Sequence, residues 1–416
     1  MLNKLKKHKK LIENFSALSV LQVSQLLLSF LTFPYLIKTL GMENYGVIVY
    51  SQSVIMFLTL IINYGFSATA TKDIAESNLD EIKIKKIVTS VYWCKLTLLI
   101  PVLIFYAYLV YFFEILNKFA VIYYLSSIGL LASFLFPDWF FQGIEKMLSI
   151  TYVMLISKVI AVVLIFVYIK SPDDLLWVVA INTLTSLCAS VISLYLLSGY
   201  YRLSNFLNFN FYNIVAQFKK GSAYFFSNIV ANSKEIIGVL LIGVSLDYQS
   251  VAIYDFCKKI LNILLIPTSS LMRAVFPQAS VKKSIPFNKK FEKILLIYSF
   301  FAIFIVFIIP DNLWEIVFNQ EVIMYKNYLY MISLCLPLYI LCGSNGFLTL
   351  VGFGESKKFA RNILLSSIFY IFILTIGVLF EFVTIYFIIY TLIFSLLVEM
   401  ILHLKSVHVI KSSEKF

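Results

Sequence analysis

The sequence predicts an all-α membrane protein of about 12 transmembrane helices, arranged as two six-helix, pseudo-repeated bundles around a central cavity. Three observations lead there. The chain has 416 residues, 61% of them hydrophobic and 13% charged, whereas a soluble domain carries about 25% charged and about 45–50% apolar residues. The apolar residues fall into runs long enough to cross a bilayer, which takes about 20 residues at 1.5 Å each. A faint repeat aligns GMENYGVIVY, residues 41–50, with SLDYQSVAIY, residues 245–254, at an offset of 204, close to half the chain.

In chain order the runs cover roughly 15–38, 45–67, 87–111, 118–139, 150–169, 175–197, 221–246, 251–276, 293–310, 327–350, 362–380 and 383–404. The connections are short. The longest, 199–220, is rich in Asn, Phe and Tyr and reads as a cytoplasmic linker between a six-helix half over 1–198 and a second over 221–416. In the repeat, Glu43 aligns with Asp247, Gly46 with Ser250 and Tyr50 with Tyr254, so both copies open the second span of their half. Six spans per half give the copies the same orientation, as in parallel-repeat transporters.

Basic residues set the orientation. With the N-terminus inside, about 25 of the 34 Lys and Arg lie on the cytoplasmic side and about six outside. Lys4, Lys6, Lys7, Lys9 and Lys10 head the inner set, followed by Lys72, Lys83, Lys85 and Lys86. This rule accounts for the net charge of +12 without a nucleic-acid partner. An even span count places Met1 and Phe416 on the cytoplasmic face. The opening MLNKLKKHKKLIENF is like a signal-peptide n-region, but no small-residue cleavage pattern follows, so it reads as an uncleaved cytoplasmic anchor.

Three lysines, Lys95, Lys158 and Lys234, remain within spans. Each would cost about 2.5–3.5 kcal/mol facing lipid at mid-membrane, so they are expected to face protein or water. The stretch Gly221 to Leu246 concentrates the polar chemistry. There Asn228, Asn232 and Glu235 recur at i, i+4 and i+7 and share one helix face, with Lys234 on a neighbouring one. In the first span Gln22, Gln25, Ser29 and Thr32 form a polar stripe that reads as a cavity wall or a helix seam. Lys158, Lys234, Lys95, Gln22, Gln25, Asn228 and Asn232 are therefore the candidate substrate-binding residues. Glu235, the deepest acid, is the ion-coupling candidate, with Lys95 or Lys158 of the other half as expected partner. One acid against three lysines leaves a positive cavity suited to an anionic substrate. Glu399 and Arg273 lie nearer the inner face and read as packing and anchoring residues. Pro34, Pro101, Pro267 and Pro337 interrupt helices, and Pro337 with Gly343 and Gly346 makes a candidate hinge.

Other chemistries lack their residues. There is no phosphate-binding loop and no hydrolase or metalloprotease motif, so no catalytic residue is expected. The five cysteines are scattered through apolar runs, and the three histidines lie near the chain ends without metal-ligand spacing. No metal or cofactor is expected.

Two stretches carry a family resemblance. Pro34 to Gln52 reads PYLIKTLGMENYGVIVYSQ and Phe136 to Met147 reads FPDWFFQGIEKM. Both resemble the bacterial O-antigen flippases (Wzx-type), in the polysaccharide-transporter branch of the MATE-like (MOP) exporter superfamily. The matching residues are Pro34, Tyr35, Leu40, Gly41, Tyr45 and Gly46, then Trp139, Gln142, Gly143 and Glu145. The likeness continues through residues 253–280, with Pro267 and Pro277.

The resemblance implies a flippase that moves undecaprenyl-diphosphate-linked oligosaccharide repeat units across the bacterial inner membrane. It also implies a polysaccharide polymerase and a chain-length regulator as partners, beside membrane lipids. The motif residues are expected to fix loop geometry, with Gly41 and Gly46 in tight turns and Trp139 at the interface. Two alternatives stay open. An ion-coupled exporter of cationic drugs is disfavoured by the cavity lysines. A membrane polysaccharide polymerase would need a larger outer loop than the sequence offers.

Overall fold

Backbone polar groups inside a bilayer must find partners within the segment itself, so apolar runs become helices. The computed structural model describes residues 24–413 apart from 26, 78–79, 202–208 and 318–322. Among the described residues each predicted run has its helix. They are α1 Leu27–Leu40, α2 Met42–Glu76, α3 Glu81–Phe112, α4 Ala120–Gly143, α5 Met147–Tyr168 and α6 Pro172–Ser198. They continue as α7 Phe211–Ser245, α8 Tyr248–Lys282, α9 Ile285–Ile308, α10 Lys326–Val351, α11 Ser356–Leu379 and α12 Ile385–Lys411. Among the described residues ten are long and apolar enough to cross a membrane, eleven if the bent pair Phe211–Asn232 and Lys234–Ser245 counts as one span. The shorter α1 is the described part of the first predicted run; Gln22 and the N-terminal lysines lie outside the described residues. This is a multi-pass, all-helical membrane protein.

The chain divides into two compact units, Met1–Ile229 and Val230–Phe416. In the first, a buried cluster joins Phe66, Val88, Tyr92, Trp139, Phe140 and Phe141. Trp139 was expected at the membrane interface. It is instead 1% exposed, packed edge-on against Tyr92 and Phe140. The reason lies in the sequence around it: Pro137 interrupts α4, and the last turn, Asp138–Gly143, directs its aromatics inward. Gly143 permits that approach, since a Cβ there would stand 2.8 Å from Ile74 and 3.1 Å from the Thr71 carbonyl. Gly143→Val should therefore cost about 1–3 kcal/mol of stability through overpacking, seen as a lower melting temperature of the purified protein. Gln142 and Glu145 stay exposed.

Gly41 behaves as expected: it precedes α2 with φ 81°, a conformation that favours glycine. Gly46 does not form a turn. It is buried within α2, as is Tyr45. Tyr35 donates to the Ile169 carbonyl at 2.5 Å, fixing α1 to the α5–α6 connection, and Lys170 lies over its ring. That connection is closed by a capping box between Ser171 and Asp174 with Pro172 between them.

In the second unit, Asp247 caps α8 by accepting from the Ser250 amide at 2.6 Å, and Ser284 caps α9. The two repeat segments each open the second helix of their half, at Met42 and Tyr248, and their aligned Tyr50 and Tyr254 are both buried. The candidate hinge at Pro337 takes a definite form. Pro337 sits in the regular turn Cys335–Cys342, and the irregular backbone follows it as a nine-residue π-helix, Gly343–Val351. Such i→i+5 turns are rare and concentrate at functional positions. Here Asn288 of α9 donates to the Leu348 carbonyl and to Thr349, both at 3.2 Å. Asn345 accepts from Lys289 at 3.2 Å and donates to Glu292 at 3.1 Å.

Candidate functional site

Within the first unit a polar cavity of about 260 Å³ lies between α2, α4, α5 and α6, with Gln25 just ahead of α1. Amide and hydroxyl side chains dominate its wall, among them Gln25, Asn63, Ser133, Asn182, Thr185 and Ser186. Two charged groups join them, Lys158 from α5 and Asp138 from the last turn of α4. An adjoining pocket of about 260 Å³ shares Gly129, Lys158, Asn182 and Ser186 and adds Ser51 and Gln52 from α2. Many of these hydroxyls bond back to their own helix, as Thr185 does to Ile181 at 2.6 Å, so the helices tolerate them without a ligand. Lys95 stands behind the wall. It is 1% exposed, donates to the Ser133 carbonyl at 2.8 Å, and interacts electrostatically with Asp138.

The second unit holds a buried ionic network. Lys234 of α7 contacts Glu399 of α12 at 2.7 Å, and both side chains are largely buried, at 9% and 13% exposure. Ser366 of α11 bridges them, accepting from Lys234 at 2.8 Å and donating to Glu399 at 3.0 Å. One turn along α12, His403 stacks on Phe359 and stands 3.6 Å from Glu399, with Asn362 at its Nδ1. Glu235 is paired with Lys258 of α8.

The expected partners thus change. Glu235 was assigned to Lys95 or Lys158, yet its counter-charge is Lys258, which comes from the adjacent helix of the same half. Lys258 falls within the predicted run 251–276, is not among the three in-span lysines, and is buried. Glu399, read as a packing residue near the inner face, is the counter-ion of Lys234. The three lysines therefore do not share a single acid: Lys95 has Asp138 nearby and Lys234 has Glu399. Lys158 and Gln25 line the cavity, while Asn228 and Asn232 are half-buried on α7; Gln22 lies outside the described residues. Sequence reasoning missed Asp138, Lys258, Glu399 and His403. Asp138 could have been found as the one acid inside the aromatic run FPDWFF, and Glu399 with His403 as an i, i+4 pair in an otherwise apolar helix.

Comparison with known proteins follows the same lines. Residues 11–281 match a family model described as "Polysaccharide biosynthesis protein". A relative from Escherichia coli (strain K12), named "Putative O-antigen transporter", is 28% identical over 267 residues, 64% of this chain and 64% of its own length. The alignment thus spans slightly less than two thirds of that protein. A relative of the same name from Shigella dysenteriae is 27% identical over 70% of this chain and 73% of its own. Among solved structures, the lipid II flippase MurJ in an inward closed conformation superposes with TM-score 0.72 at 12% identity, covering 94% of this chain and 87% of that one. An inward-facing multidrug resistance MATE family transporter of the MOP superfamily gives TM-score 0.65 at 14% identity, covering 95% and 96%. At such identities these structures speak for the fold, and the named relatives are transporters rather than enzymes. With its family model matching well over half the chain, the protein belongs to the polysaccharide biosynthesis protein family, on the fold of the MOP-superfamily exporters.

Proposed function

We propose that this protein is a flippase that carries undecaprenyl-diphosphate-linked oligosaccharide repeat units, of O-antigen or a related polysaccharide, from the inner to the outer leaflet of the bacterial cytoplasmic membrane by alternating access. The observation that carries the reading is the cavity of the first unit. Its wall of amides and hydroxyls offers the alternating donors and acceptors that sugar hydroxyls need, and Lys158 adds a cation for phosphate or an acidic sugar. The family and the names of the relatives support it. In cells lacking the chain, undecaprenyl-linked single repeats should accumulate on the inner face. A surface glycan of one repeat would instead indicate a polymerase, and unchanged surface glycan with raised drug sensitivity would indicate a drug exporter.

Both termini face the cytoplasm in this reading, as do the Lys72–Lys86 segment and the 199–220 linker. Single cysteines placed there, on a cysteine-free background, should resist an impermeant maleimide in intact cells and react after permeabilisation. Labelling of any one before permeabilisation would overturn the orientation. Transport is ion-coupled, and Glu235 is its candidate group, because its carboxylate side chain stays 44% exposed while Lys258 beside it is buried. Glu235→Gln should blunt the response of flipping to an imposed gradient while sparing membrane abundance. An unchanged gradient response would remove Glu235 from the coupling. A polysaccharide polymerase and a chain-length regulator are the partners that would receive the product.

A further inference from the structure

A different cavity, of about 410 Å³, opens in the first unit where α2 ends and both α3 and α7 begin. It shares no residue with the Lys158 cavity. Its charged wall sets Lys83, Lys86 and Lys220 against Asp73 and Glu76. Lys220 is held by Asp73 at 2.9 Å. Lys83 reaches Asp80 at 3.8 Å with its side chain 67% exposed, a contact that water weakens. Lys86 is exposed and has no ion pair among the described residues. Two lysines are therefore available to an anion.

Gln217, also in the wall, is 7% exposed. Its Nε2 donates to Asp73 at 3.2 Å, which fixes the amide orientation. The other end, Oε1, is left as a buried acceptor with no donor. Buried acceptors are normally paired, so this wall calls for a ligand that donates a hydrogen bond as well as one that carries negative charge. A bare phosphate meets the lysines and can donate one P–OH, but it carries more negative charge than a phosphodiester and is repelled by Glu76 and Asp73. A phosphate esterified to a polyol satisfies both kinds of group. The surroundings point to a lipid form of it. Ile82, Phe211, Tyr212 and Val215 are all exposed beside the cleft, and apolar and aromatic side chains next to lysines at span ends mark the membrane–water boundary.

We propose that this cleft binds the headgroup of an anionic polyol-phosphate lipid of the phosphatidylglycerol type. Lys83 and Lys86 hold the phosphate, a headgroup hydroxyl donates to Gln217 Oε1, and the acyl chains lie along Ile82, Phe211, Tyr212 and Val215. The purified full chain in detergent would be titrated with phosphatidylglycerol, phosphatidylethanolamine, phosphatidylcholine and water-soluble glycerol phosphate, reading the melting temperature. Phosphatidylglycerol should raise it by several degrees and the other three by much less. K83Q/K86Q should abolish that increment while leaving the lipid-free melting temperature unchanged. K357Q/K358Q, a charge-matched change in another basic segment, should keep it. Equal protection by phosphatidylethanolamine, equal protection by glycerol phosphate, protection that survives K83Q/K86Q, or loss of the same size in K357Q/K358Q would each overturn the assignment.

Discussion

Glu399→Gln is expected to remove most of the folded protein from the membrane. The substitution preserves shape but strips the counter-charge from Lys234, whose ammonium lies 2.7 Å from the carboxylate with both groups largely buried. Removing one partner of a buried pair costs about 3–5 kcal/mol, a large share of a total stability of about 5–15 kcal/mol. Lys234→Met should cost a similar amount by leaving Glu399 without its cation and Ser366 without its donor. The double change Lys234→Met with Glu399→Leu should recover most of the loss, because a matched apolar replacement of a buried pair is close to neutral. Melting temperature and membrane abundance, measured on all three, separate this account from a transport role. If Glu399→Gln inserts and melts as wild type while surface glycan disappears, the pair belongs to the transport cycle. Glu235→Gln should be milder, since that side chain is 44% exposed.

The second large effect concerns transport. Lys158→Gln should lower surface polysaccharide at normal membrane abundance. A charge-assisted hydrogen bond contributes about 1.5–3 kcal/mol, so its loss weakens binding of an anionic group by about ten- to a hundredfold. Lys158→Arg should restore part of the activity, keeping the charge but changing the shape of the donor. Asp138→Asn is the informative companion. It removes the acid that shares the wall with Lys158 and interacts with Lys95, so it should disturb folding more than Lys158→Gln does. Normal glycan from Lys158→Gln at normal abundance would take this lysine out of the mechanism.

Hydropathy is a local property, and that is why the helices could be placed from the sequence: among the described residues every run has a helix at its position. Caps and special backbone conformations were legible where one residue decides them, as at Gly41. Pairing was not. Lys234 and Glu235 are neighbours in sequence, and each turns to a different helix for its partner. Which acid meets which lysine depends on helix rotation and packing, and neither leaves a mark in a single sequence. Trp139 failed for a related reason. Tryptophan is common at membrane interfaces, but the break at Pro137 turned this one into the core. Gly46 looked like a turn residue and serves inside a helix, because the motif around it continues the apolar run of α2.

The Lys234–Glu399 contact also has a place in time. Its partners are 165 residues apart in the chain. At about 5–20 residues per second, a ribosome needs roughly 8–33 s to travel from one codon to the other. Throughout that interval α7 is already leaving the ribosome with its ammonium, and the helix that will neutralise it has not been made. Until the last helix is made, Lys234 bears the cost of about 2.5–3.5 kcal/mol that a lysine incurs facing lipid at mid-membrane. A chain truncated before α12 lacks the carboxylate that neutralises Lys234, and it should be degraded faster than one truncated after α12, as a pulse-chase would read.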